Sequence, residues 1–159
     1  MNDATLKPAT QDIVVDEVFP HAPETIWKTL TSGELMARWL MAPRGFAPVE
    51  GNHFTYQTKA AGAWDGTIHC EVLEVAPNER FVYAWKGGHE SNDGYGAPLD
   101  TVVTFTLSKV AEGTRLRLVH SGFVTPVNDT AFQNMNNGWR KVVPALGNFT
   151  NQAQEKTHE

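Results

Sequence analysis

Hydrophobic and polar residues alternate along much of the region between residues 51 and 120. For example, Arg115 precedes Leu116, and Arg117 separates Leu116 from Leu118. This two-residue period is typical of an antiparallel strand with one buried face and one solvated face. The pattern predicts five strands here: one around Phe54 and Tyr56, and others at residues 67–75, 80–86, 101–108 and 114–120.

One further strand and two short helices are predicted before this region. The strand covers residues 13–19 and is rich in valine, isoleucine and phenylalanine. The first helix follows Pro23, which a first helical turn tolerates, and the second covers residues 34–40. Thr31 and Glu34 match a capping box, in which a hydroxyl caps the helix and a carboxylate follows three residues later.

The last segment repeats hydrophobic residues every three or four positions, which predicts one long amphipathic helix. Its apolar stripe consists of Met135, Trp139, Val142, Leu146, Phe149 and Ala153. Asn128 or Asp129 can cap its start. We expect Pro144 to interrupt and kink it, because proline lacks the N–H that a helix interior uses.

The order of these elements predicts the fold class. A sheet with one wet face needs its other face covered, and the last helix is the element long enough to do so. The result is an α+β helix-grip fold, in which a curved antiparallel sheet of about six strands wraps around a long C-terminal helix. Residues 12–154 are expected to form this single domain, between a flexible lead at 1–11 and a frayed tail at 155–159.

The charge argues against two classes of partner, and the cysteine content excludes an intrachain disulfide. The net charge is −5 and the basic residues are scattered, which argues against nucleic acid and anionic membranes. Cys70 is the single cysteine, so no intrachain disulfide forms. Residues 1–11 hold no apolar run and no stretch reaches about 18 apolar residues. We therefore expect a cytoplasmic protein without membrane insertion.

Several short motifs, taken in their order, resemble a known family. The opening motif Ala22-Pro23-Glu24-Thr25-Ile26-Trp27 is similar to that of START-like (SRPBCC) domains. The segments at residues 35–40, 71–85, 120–123 and 138–139 resemble the branch of proteins like the activator of Hsp90 ATPase homologue 1. The resemblance covers roughly residues 12–154.

This resemblance implies a START-like (Bet v 1-like) fold with an apolar cavity between the sheet and the last helix. Members of the superfamily bind lipids, sterols, polyketides and other apolar molecules, and no cofactor is expected. The eukaryotic namesake stimulates the ATPase of Hsp90 but carries an additional N-terminal domain. This chain has no room for that domain, so we do not expect Hsp90 to be its partner.

Eight inward-facing residues are candidates to line the cavity, although each can also be plain core: Trp39, Tyr56, Tyr83, Trp85, Phe105, His120, Trp139 and Val143. His120 is in register with Leu116 and Leu118. It can contact a ligand, act as a general base, or bond quietly within the core. The polar loop at residues 87–98, which holds four glycines, is placed near the cavity entrance.

Metal and standard catalytic motifs find no support. His53, His69, His89 and His120 are not paired at metal-ligand spacing, so no metal site is expected. The sequence contains no Gly-x-Ser-x-Gly elbow, P-loop or Gly-x-Gly-x-x-Gly motif. No catalytic residue is assigned.

Three functional hypotheses follow. The first is a binding module for a hydrophobic small molecule. The second is a cyclase or aromatase-like enzyme that uses His120 and Tyr83 as acid and base in the same cavity. The third is a chaperone-interaction domain that uses its outer surface. The residues leave open whether the chain forms a homodimer.

Overall fold

The computed structural model describes residues 10–158 and, beyond Thr150, the backbone alone. Of the predicted lead and tail, residues 1–9 and Glu159 lie outside this range. The elements are β1 (Thr10–Phe19), α1 (Pro23–Leu30), α2 (Gly33–Trp39), β2 (His53–Gln57), β3 (Thr67–Ala76), β4 (Arg80–Gly87), β5 (Leu99–Val110), β6 (Gly113–Val124) and α3 (Asp129–His158). The first strand begins at Thr10, two residues before the predicted start of the domain.

The six strands form one antiparallel sheet in the order β1-β6-β5-β4-β3-β2. Because β1 pairs with β6, the first and last strands of the chain lie side by side, and β1 and β2 form the edges. The pairing registers shift between Gln11 and Ile13 and between Val72 and Glu74, and such bulges bend a strand. The curved sheet with α3 against it confirms the predicted helix-grip fold.

The alternation in β6 separates the core from the solvent as predicted. Leu116 and Leu118 are fully buried, whereas Arg115 and Arg117 lie on the outer face. There the two arginines contact Asp16 of β1 at 3.0 and 3.5 Å. These ion pairs are solvent-exposed, so they contribute little stability, and the buried leucines contribute most of it.

The predicted capping box is wrong by one residue. Ser32 caps α2, because its Oγ accepts a hydrogen bond of 3.2 Å from the Leu35 N–H. Thr31 instead ends α1, where its Oγ1 donates to the Trp27 carbonyl at 2.8 Å. With Ser32 as the cap, the third following residue is Leu35, which has no carboxylate to complete the box.

The last helix also differs from its prediction. It runs as one element from Asp129 to His158 with Pro144 inside it, so the predicted interruption is wrong. Val143 and Leu146, on either side of the proline, are fully buried. Burial of this apolar stripe outweighs the loss of one helical hydrogen bond.

Asn128 lies immediately before α3, at the predicted cap position. Its side chain, however, connects the end of β6 to Pro98, the residue before β5, instead of turning toward the helix. Its Oδ1 accepts from the Val124 N–H at 2.9 Å, and its Nδ2 donates to the Pro98 carbonyl at 2.7 Å.

Within the described residues, no helix combines the length and apolarity that a membrane crossing requires.

Gly147 and Gly138 lie on the same helix in opposite surroundings. A Cβ at Gly147 would overlap the ring of Phe19, whereas a Cβ at Gly138 would meet nothing within 4 Å. We expect Gly147→Ala to lower the free energy of unfolding by about 1–3 kcal/mol. Gly138→Ala should raise it by about 0.5–1 kcal/mol, because alanine favours a helix over glycine. Chemical denaturation measures both, and equal changes would contradict the packing of Phe19 against Gly147.

Candidate functional site

An open cavity of about 270 Å³ lies between the sheet and α3. Its walls come from the segment that follows α2, from β3 and β4, from α3 and from two loops. The lining residues are Leu40, Met41, Thr58, Ile68, Trp85, Tyr95, Met135, Gly138, Trp139 and Val142. None of these ten side chains is charged, and most are apolar. Such a lining suits an uncharged hydrophobic molecule.

A second, smaller chamber of about 50 Å³ adjoins the cavity. The two share four lining residues, which are Ile68, Trp85, Tyr95 and Met135. The rest of its lining comes from Trp64, the glycine-rich loop at residues 87–98, Leu99 of β5, and Ala131 and Asn134 of α3. The site is therefore a main cavity that continues under this loop.

Two loops are joined to form the outer wall of the site. The Tyr95 hydroxyl donates to the Lys59 carbonyl at 2.7 Å, and the Asn92 amide donates to the Ala61 carbonyl at 2.7 Å. The rings of Trp64 and Tyr95 also pack with their centroids 5.7 Å apart. The loop predicted to lie near the cavity entrance thus forms part of the wall.

The structure brings two of the eight predicted site residues to the cavity, Trp85 and Trp139. The other six are buried in the core and are not among its lining residues: Trp39, Tyr56, Tyr83, Phe105, His120 and Val143. Their own rings occupy the space between sheet and helix. Phe105, for instance, packs edge-on against Trp139 with a centroid distance of 5.9 Å.

Most of the lining was not predicted. Met135 and Val142 lie on the same helical stripe as Trp139, and that spacing was a signal that could have identified them. Leu40 and Met41 follow α2, and Tyr95 lies in a loop. Such segments have no period in their sequence that indicates which side chains face the cavity. Several of the lining residues are only half-buried, whereas six of the eight predicted site residues lie fully in the core.

His120 is the centre of a buried chain of hydrogen bonds. The indole N–H of Trp139 donates to His120 Nδ1 at 2.9 Å, and His120 Nε2 lies 2.7 Å from Thr101 Oγ1. Thr101 Oγ1 itself donates to the Trp85 carbonyl at 2.8 Å. Since the threonine hydrogen is used, Nε2 must carry a proton and donate it. This assigns His120 as neutral with its proton on Nε2.

This arrangement is unfavourable for acid–base chemistry at His120. Burial lowers the pKa of the imidazole to about 3, because the charged form loses its hydration. In the neutral ring only Nδ1 has a lone pair that can accept a proton, and it already accepts the hydrogen bond from the Trp139 indole N–H. Protonation there would break that bond, so His120 serves to hold Trp139 in place.

The other reactive groups of the core are also held neutral. The Tyr56 hydroxyl donates to Met36 Sδ at 2.9 Å and lies 3.3 Å from the Tyr83 hydroxyl. Burial raises the pKa of both tyrosines above its ordinary range and raises that of the Cys70 thiol. In the part of the chain that the structure describes, no three histidine, cysteine or acidic side chains are grouped to bind a metal.

Comparison with known proteins adds a family match. A family model described as Activator of Hsp90 ATPase homolog 1-like protein matches residues 20–149. Among solved structures, the chain is similar to protein MLL2253 from Mesorhizobium loti, with 33% identity and a TM-score of 0.77. That match covers 89% of this chain and 98% of the other.

Two more distant structures show the same fold. Mll3558 from Rhizobium loti has 18% identity and a TM-score of 0.73, with 90% of this chain and 99% of that chain covered. BH1534 from Bacillus halodurans has 23% identity and a TM-score of 0.68, with 88% and 96% covered. A comparison with curated protein sequences gave no match.

The neutral state of His120 predicts how stability depends on pH. The unfolded chain takes up a proton at this histidine near pH 6.5, whereas the folded chain does so only near pH 3. Between these values the unfolded state binds more protons, so stability present above about pH 6.5 is lost as the pH falls. The slope from this group approaches about 1.4 kcal/mol per pH unit.

We expect His120→Asn to be less stable at pH 7 and to lose this slope between about pH 6.5 and pH 4. His69→Gln, which removes an exposed histidine from β3 and leaves the buried chain intact, is the matched control. Urea denaturation at several pH values measures both. An unchanged slope in His120→Asn would show that His120 is not buried in the neutral form.

Proposed function

We propose that this chain, which belongs to the Activator of Hsp90 ATPase homolog 1-like family, binds a small hydrophobic molecule in the cavity between its sheet and α3. The observation that carries the proposal is the uncharged, largely apolar lining of that cavity. Protein interiors are normally filled to the density of organic crystals. Open apolar space of about 270 Å³ is close to the lower range of ligand sites in proteins.

The two tryptophans of the main cavity's wall are held in place before any ligand arrives. Trp139 is held by its hydrogen bond to His120, and Trp85 packs between Tyr56 and Trp139 with centroid distances of 5.4 and 6.0 Å. A preformed site avoids the entropic cost of ordering its side chains on binding. Each Å² of apolar surface buried there contributes about 25 cal/mol before the other costs of binding.

The same geometry supports binding over catalysis. His120 and Tyr83, the acid–base candidates of the cyclase-like alternative, are not among the lining residues of the cavity. Both are fully buried and uncharged at neutral pH. The chaperone alternative would use the outer surface, and a pull-down with Hsp90 at physiological salt tests it independently.

The cavity offers a direct test at Gly138. This glycine lines the cavity, and a Cβ added there meets no atom within 4 Å. We expect wild-type protein to bind the neutral fluorophore N-phenylnaphthylamine with a saturable rise in emission. Gly138→Leu should lower its affinity at least about tenfold, because the leucine occupies the ligand's space. It should also fold with undiminished stability, since leucine favours a helix over glycine.

Gly138→Ala is the matched control, because it adds one carbon to the same position and leaves most of the volume open. Its affinity for the fluorophore should stay close to that of the wild type. Native mass spectrometry gives an independent measurement, since a co-purified ligand would be present in the wild type and lost in Gly138→Leu. Equal binding by all three proteins would place the fluorophore elsewhere and contradict the proposal.

A further inference from the structure

The strand β4 is buried on both of its faces, although the helices pack against only one of them. Its residues from Phe81 to Trp85 are all buried. Phe81, Tyr83 and Trp85 belong to the core between the sheet and the helices, whereas Val82 and Ala84 do not. Because side chains alternate along a strand, Val82 and Ala84 lie on the outer face of the sheet. This face carries apolar residues where a solvated face usually carries polar ones.

Two rows of uncharged side chains cross the middle of this outer face. Strand pairing connects the first row across four strands, in the order Val14, Val119, Thr104 and Val82. It connects the second row across three strands, in the order Ser121, Val102 and Ala84. These seven residues are called the central patch below. Short and β-branched side chains of this kind form the contact where two sheets pack face to face.

Charged residues of opposite sign border the central patch at its two ends along the strands. Of the described strand residues on the outer face, the end nearer the β5–β6 hairpin carries three cations and two anions: Arg80, Arg115, Arg117, Asp16 and Glu74. The opposite end carries one cation and three anions: Lys86, Asp12, Glu71 and Asp100. We call them the basic end and the acidic end.

We propose that the outer face binds a second copy of this chain, with the two sheets packed face to face about a twofold axis that runs across the strands. Such an axis joins the two central patches and lays the basic end of each copy over the acidic end of the other. A twofold axis parallel to the strands would instead superpose like ends, which repel each other. The face is therefore complementary to itself in one orientation, and this favours a second copy over an unrelated protein.

The curvature of the sheet limits the strength of this contact. Because the sheet curves around α3, its outer face is convex, and the central patches make most of the contact. We therefore expect a weak, concentration-dependent dimer with a dissociation constant in the micromolar range. The cavity lies on the inner side of the sheet, against α3, so it stays accessible in both copies. The inference is thus independent of the proposed function.

Two pairs of charge reversals test the contact and its orientation. Arg80→Glu with Arg117→Glu reverses the basic end, and Glu71→Lys with Asp100→Lys reverses the acidic end. All four side chains are at least 44% exposed, and exposed substitutions have small effects on stability. Sedimentation velocity of the full chain at about 1–200 µM should show the wild-type dimer.

Each double variant alone should dimerise at least about tenfold more weakly than the wild type, because like ends then meet. An equimolar mixture of the two double variants should regain at least the wild-type affinity, since every acidic end then faces a basic end. Urea denaturation verifies that each variant is folded. N-phenylnaphthylamine should bind all of them as it binds the wild type, because none of the four positions lines the cavity.

Engineered cysteines measure the location of the axis. Thr104→Cys lies in the central patch, so its two copies come close together in the dimer. Ser108→Cys, on the same strand and face, lies at the basic end, which places its two copies about 25–30 Å apart. We expect diamide to cross-link Thr104→Cys and to leave Ser108→Cys largely monomeric. Ser108 is the more exposed position, so chance collisions would give the reverse, and the native Cys70 is buried.

Several results would overturn the inference. A wild-type chain that stays monomeric at about 200 µM leaves the outer face to solvent or to a different protein. A dimer that neither charge reversal weakens must form through another surface. A mixture of folded variants that does not reassociate, or faster cross-linking of Ser108→Cys than of Thr104→Cys, rules out the proposed orientation. Restored association in the mixture together with cross-linking at Thr104→Cys supports the inference.

Discussion

The hydrogen-bonded chain from Trp139 through His120 and Thr101 to Trp85 is the constraint on which the rest of the site depends. It connects α3 to three adjacent strands, β6, β5 and β4. Each of the four residues is buried. Breaking any of these hydrogen bonds would leave a polar atom without water and without a partner, which would destabilise the folded state. This series of hydrogen bonds includes both tryptophans of the main cavity's wall. It therefore fixes the position of α3 on the sheet and, with it, the positions of the two rings that line the cavity.

This constraint also explains where open space remains. Around His120 the aromatic rings fill the volume between the sheet and the helix. The six core residues that were predicted as ligand contacts pack against one another and their neighbours there. Space is left farther out, where Met135 and Val142 of α3 face the two joined loops. The cavity therefore has a rigid inner wall of tryptophan and an outer wall of half-buried side chains.

Much of the fold was predictable from the sequence, but the depth of the site was not. The two-residue period of β6 identified Leu116, Leu118 and His120 as inward, and the helical stripe identified Trp139, since these patterns depend on local geometry alone. The period does not say whether an inward ring touches a ligand or another ring. That depends on α3, which packs against strands distant in sequence. Ser32 and Thr31 show a smaller limit. The pattern favoured Thr31, because Glu34 follows it three residues later, but α2 begins at Gly33 and Ser32 caps it.

The two-loop wall has a consequence for how such a site diversifies in evolution. Its tethers end on the backbone carbonyls of Lys59 and Ala61, so substitution of those side chains leaves the acceptors in place. Leu40, Met41, Met135 and Val142 line the cavity but are only partly buried, and they lie outside the hydrogen-bonded chain. Mutations at these positions can reshape the cavity while the interior stays intact. The shape of the cavity can thus change between related sequences at little cost to folding.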